Sequence, residues 1–154
     1  MKFDKVAPIA ELLSSIAVVI TLVYLAIQTR QTNEALLANS RQATVTSDMM
    51  FIDTIVSNPE AWANLYRPWE ELNPVEQGQV GNVLAGMMRT REFVFFQYQN
   101  GAIDEATLRS YLAPMPRWLS LPAIQPVLQE FRLEMDEDYL AYLDAMLAES
   151  GDRD

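Results

Sequence analysis

From Val6 to Gln28 the chain reads VAPIAELLSSIAVVITLVYLAIQ, with Glu11 as its one charged residue. These 23 residues make about 34 Å of helix at about 1.5 Å per residue, enough for a hydrocarbon core of about 30 Å. Lys2 and Lys5 precede the run as in a signal peptide, but Gln28, Thr29 and Arg30 follow Ile27 where a small-x-small cleavage site would stand. The pattern predicts a retained transmembrane helix over 6–28 behind a short tail at 1–5.

The next stretch, TRQTNEALLANSRQATVTSDMMFIDTIVS, holds no Pro or Gly, so the helix continues as a stalk over 29–57. Leu36, Ala43 and Met50 fall seven apart, and Met49, Ile52 and Val56 extend an apolar face. That face implies packing against the following domain or against a second copy.

Turn and cap signals then divide 58–149 into short helices, and 150–154 reads as a disordered tail. Asn58-Pro59-Glu60 predicts an N-cap and a short helix that Pro68 ends or kinks. Asn73-Pro74-Val75-Glu76 is a capping box opening the longest helix, which closes near Asn100-Gly101. Within it Val80, Leu84, Met87, Met88, Phe95 and Tyr98 recur at three- and four-residue steps, and Phe93, Val94 and Phe96 widen the apolar surface. Such a stripe is core before it is a cofactor pocket. Asp104 caps another helix stopped by Pro114 and Pro116, and 122–149 forms two pieces divided by a cap at Asp136. The fold class is all-α: a transmembrane helix continuing into a stalk, then a small helical bundle.

Composition agrees, with half the residues apolar and few Gly. Cys and His are both absent, which removes disulfides, thiol and histidine catalysis and the metal sites built on those ligands. No EF-hand-like spacing is present, so no metal or cofactor is expected. The net charge of -10 and the scattered Lys and Arg argue against nucleic acid as a partner. The acidic residues from Glu130 to Asp154 read as a solvated helix face and tail.

Within the span, Glu11 lies about 8 Å from the start of the segment and suits the headgroup level. Ser14, Ala17 and Thr21 share a face and, with Glu11, are the candidate oligomer contacts. In the long bundle helix, Arg91 and Glu92 are a candidate structural ion pair, with Arg89 beside them. Flanking charges tie, Lys2 and Lys5 against Arg30 and Arg41, so either orientation in the membrane is open.

ELLSSIAVVITLVYLAIQTRQTNEA and REFVFFQYQNGAIDE resemble a widespread group of uncharacterised bacterial single-span membrane proteins. The matching positions include Arg91, Glu92, Phe95, Phe96, Gln97, Tyr98, Gly101, Asp104, Trp118 and Tyr142. The resemblance implies a single-pass protein of the bacterial inner membrane with a cytoplasmic helical domain. It implies no activity.

The leading expectation is a non-catalytic interaction module in the lipid bilayer, either a homo-oligomeric scaffold or an accessory subunit of a larger membrane complex. The alternative is a homo-oligomeric ion channel or membrane sensor with Glu11 near a shared axis. An enzyme would have to run on carboxylates such as Glu70, Glu71, Glu130 and Glu134, and nothing else in the sequence converges on them.

Overall fold

The computed structural model describes Ala7 to Gly151, so the N-terminal tail with Lys2 and Lys5, Val6, and the terminal Asp152 and Asp154 lie outside the described residues. The fold is all-α: a long N-terminal apolar helix followed by a helical bundle. The elements are α1 (Ala7–Ser57), α2 (Pro59–Asn64), a 3-10 turn (Trp69–Glu71), α3 (Pro74–Gln99), α4 (Glu105–Leu112), α5 (Met115–Leu119), α6 (Leu128–Arg132) and α7 (Glu137–Gly151). The expected tail at 150–154 therefore begins inside α7.

Two compact units divide the chain, Met1–Asn39 and Ser40–Asp154. In the first unit, every side chain from Glu11 to Asn39 is exposed. By length and composition, Glu11–Ser57 of α1 is the one described helix long and apolar enough to cross a membrane. The second unit begins at Ser40, so the turns from Ser40 to Ser57, expected as stalk, pack with the bundle.

Local chemistry sets most boundaries. The Asn73 side chain accepts the amides of Val75 and Glu76 at 2.9 and 3.1 Å, while Glu76 accepts the Asn73 amide at 2.8 Å, completing the capping box. At the other end of α3, Gly101 takes φ 71°, and the Gly101 and Ala102 amides donate to the carbonyls of Tyr98 and Gln97, which stops the helix. Asp104 accepts the Thr107 amide at 2.8 Å, and Asp136 accepts the amides of Asp138 and Tyr139. Asn58 departs from expectation, because it donates to the Thr54 carbonyl at 2.9 Å and makes no side-chain cap on α2. Pro116 also departs, lying in the first turn of α5 instead of ending a helix, as suits a residue that needs no amide partner there.

The core forms around α3, where Val80, Leu84, Met87, Met88 and Val94 are fully buried against Leu65, Leu108, Leu112, Met115, Ile124, Tyr139 and Leu143. Each such aliphatic side chain contributes about 1.5 to 3 kcal/mol by leaving water. From α1 the bundle receives Thr44, Phe51 and the half-buried Ile55. Met49, Met50, Ile52 and Val56, the face expected to serve packing, stay exposed, so they do not pack against the domain.

The caps make stability depend on acid. Thr107 holds the Asp104 carboxyl below its ordinary 3.8, and the Asn73 amide, then Arg67, hold Glu76 below its ordinary 4.5. A carboxyl whose folded pKa is depressed adds stability that is present above its unfolded value and is lost as pH falls through the folded value. Thermal melting should therefore weaken below about pH 4. An Asp104→Asn/Glu76→Gln chain should show a flatter decline, and an unchanged pH profile would contradict this.

Candidate functional site

The bundle buries two charges of α3 side by side, and each finds its own partner. Adjacent helical residues point about 100° apart, so Arg91 and Glu92 face different elements. Arg91 Nη1 donates to Asp48 Oδ1 of α1 at 2.6 Å, with the Arg91 side chain 5% and the Asp48 side chain 22% exposed. Around the guanidinium stand Phe51 of α1, Tyr111 of α4 and Trp118 of α5, with ring centres at 5.9, 5.9 and 5.4 Å. Arg91 Nε is buried without a hydrogen-bond partner, so rings and one carboxylate together compensate the charge. The sequence reading paired Arg91 with Glu92, and the structure corrects that to Arg91 with Asp48.

Glu92 turns to a different side. Its Oε2 accepts Arg89 Nη1 at 2.9 Å, and its Oε1 accepts the Asp136 backbone amide at 2.7 Å. The bond to Asp136 satisfies a donor at the start of α7, fixing where that helix begins relative to α3. Next to it lies Tyr139, fully buried, its hydroxyl without a hydrogen-bond partner. Burial first, then the Glu92 charge, pushes the Tyr139 phenol well above its ordinary value. Phe95, Tyr139 and Tyr142 pack with ring centres 5.6 to 5.8 Å from Phe95, so the aromatic stripe of α3 is used as core.

A third polar knot ties α2 to α3. Arg67 donates to Asn64 Oδ1 at 3.1 Å, to Glu76 Oε1 at 2.9 Å and to the Glu71 carbonyl at 2.9 Å. The sequence reading missed Asp48, Asp136 and Arg67 as partners. Asp48 left a trace in the repeat Thr44, Asp48, Phe51, Ile55 along one side of α1, and Asp136 in its helix cap, but neither trace names the partner across the bundle.

Neither a protein family, nor a curated protein, nor a solved structure matches this chain.

In the first unit, Glu11, Ser14, Ala17 and Thr21 are all exposed. Ser14, Ala17 and Thr21 fall within about 60° of arc on α1 at about 100° per residue. Thr21 donates to the Ala17 carbonyl at 2.8 Å, and Ser15 to the Glu11 carbonyl at 2.9 Å, so both hydroxyl protons are used within the helix. Arg30 and Glu34 form an exposed i,i+4 pair at 2.9 Å, worth a few tenths of a kcal/mol.

The carboxylates an enzyme would need, Glu70, Glu71, Glu130 and Glu134, are exposed, and Glu134 stands 3.7 Å from Arg89. Among the described residues, no group of three or more Asp and Glu is placed to hold a cation. Chemically, this arrangement matches charges and fixes helix register. Arg91 draws together α1, α3, α4 and α5, and Glu92 draws α7 onto α3.

Proposed function

We propose that the protein is a membrane-anchored, non-catalytic interaction module, acting as a self-associating scaffold or as an accessory subunit of a membrane complex. The observation that carries this reading is α1 itself, whose residues Leu12 to Ile27 are apolar in the main and exposed throughout, a surface water does not tolerate and a bilayer does. The domain supports the same reading, because its buried Arg91 and Glu92 are engaged by Asp48, Arg89 and the Asp136 amide and are not presented to a ligand.

In this reading the chain belongs with the bacterial single-span proteins it resembles, in an inner membrane with its domain on the cytoplasmic side. Its partners are lipid and either further copies of itself or a larger membrane assembly. The mass of the native particle after gentle extraction tests the reading. An assembly larger than one chain supports it, and a strict monomer that retains no companion overturns it.

A further inference from the structure

The apolar run of α1 has two lengths, one with Glu11 inside it and one with Glu11 at its edge. From Ala7 to Ile27 it counts 21 residues, about 31 Å of helix, but from Leu12 to Ile27 it counts 16, about 24 Å. The first fills an ordinary hydrocarbon core of about 30 Å, and the second falls about 6 Å short of it. The longer run needs the Glu11 carboxylate within hydrocarbon, where a charged group is among the costliest to place, and no Lys or Arg lies between Ala7 and Ile27 to pair with it.

Both ends of the shorter run are built as edges. Side chains on a helix lean toward its N-terminus, so Glu11 reaches outward from the span. At the other end Gln28 Nε2 donates to the Tyr24 hydroxyl at 2.8 Å, and a tyrosine suits the headgroup boundary. Gln28, Thr29 and Arg30 follow Ile27, with Arg30 paired to Glu34 at 2.9 Å, so the run does not lengthen on that side. Between the edges, Ser15 and Thr21 donate to the Glu11 and Ala17 carbonyls, and their hydroxyls therefore do not interrupt the span.

We propose that α1 is matched to a bilayer thinner than average, with a hydrocarbon core of about 24 Å, and that Glu11 sets this preference. The inference rests on the reading of the protein as membrane-anchored. Every side chain from Leu12 to Ile27 is exposed, around the whole circumference of the helix, so the surroundings this surface fits are lipid acyl chains. In a core of about 30 Å the mismatch is met by thinning the lipid around the helix or by drawing Glu11 inward, and each carries a cost that a thinner bilayer avoids. The anchor thus sorts the protein toward thin membrane.

The full-length chain is diluted from detergent into an equal mixture of two phosphatidylcholine vesicles that differ in density, one with acyl chains of about 14 carbons and one with about 22. Glu11→Leu restores the 21-residue run, and because the Glu11 side chain is exposed the change disturbs no core. Glu34→Leu removes the same charge outside the run and controls for charge alone. The thin-to-thick ratio of the parent chain should exceed that of Glu11→Leu at least about fivefold, with Glu34→Leu matching the parent. Equal ratios for the parent and Glu11→Leu, or an equal shift in both variants, would overturn the inference. An alkaline wash of the floated vesicles separates the two failures. A parent chain that stays with both vesicles and ignores their thickness refutes the match alone, whereas one that the wash strips from both refutes the anchored reading as well.

Discussion

Arg91→Met should destabilise the protein by about 3 kcal/mol, because the change leaves Asp48 without its counter-charge in a largely buried position. The guanidinium pairs with Asp48 at 2.6 Å and lies over Phe51, Tyr111 and Trp118, so one substitution loosens four helices from one another. Methionine keeps the unbranched apolar stem, so the loss falls chiefly on the charge and ring contacts. A compensating pair makes the test specific: Arg91→Met with Asp48→Leu removes both charges, and the double variant should return to within about 1 kcal/mol of the parent. Denaturation of the full chain in mild detergent, followed by tryptophan fluorescence, measures both, with Trp118 as a reporter beside the site. Equal losses in the single and double variants would show that the pair carries no coupling.

Glu92→Ala is the second large effect, at about 3 kcal/mol, combining a lost charge-assisted hydrogen bond with the space left by a buried side chain. The Asp136 amide loses its acceptor at 2.7 Å and Arg89 loses its nearest carboxylate. The damage should concentrate at the start of α7, where amide hydrogen exchange accelerates beyond that of α3. Glu92→Gln keeps an acceptor for the Asp136 amide and should lose about 1 kcal/mol. A uniform increase in exchange across the bundle would contradict the assignment of Glu92 to the α7 start.

Features set by a few neighbouring residues were legible before the structure. Asn73 and Glu76 signal their capping box through spacing alone, and Asp104 and Asp136 mark helix starts in the same way. The apolar run of α1 declares itself by length. What the sequence hid is set at long range. Arg91 and Asp48 lie 43 residues apart, and Glu92 and Asp136 lie 44 apart, so no local pattern announces either pairing. Neighbours such as Arg91 and Glu92 suggest a pair when read along the chain, but the helix turns them to different faces.

Asn58 misled for a different reason. Its amide reaches back to Thr54 and closes α1, so the position ahead of Pro59 reads as a cap without making one. The two faces of α1 between Ser40 and Ser57 show the same limit. The exposed apolar face was visible as a repeat, but only the structure separates it from the face that Phe51 carries into the bundle.

The mass of the native particle, taken by native mass spectrometry or mass photometry after gentle extraction and without overexpression, tests the central claim most directly. The account predicts an assembly: a single integer multiple of 17.5 kDa if the chain pairs with itself, or a larger mass of fixed composition if it serves as a subunit. A particle of one chain that carries no companion would contradict it.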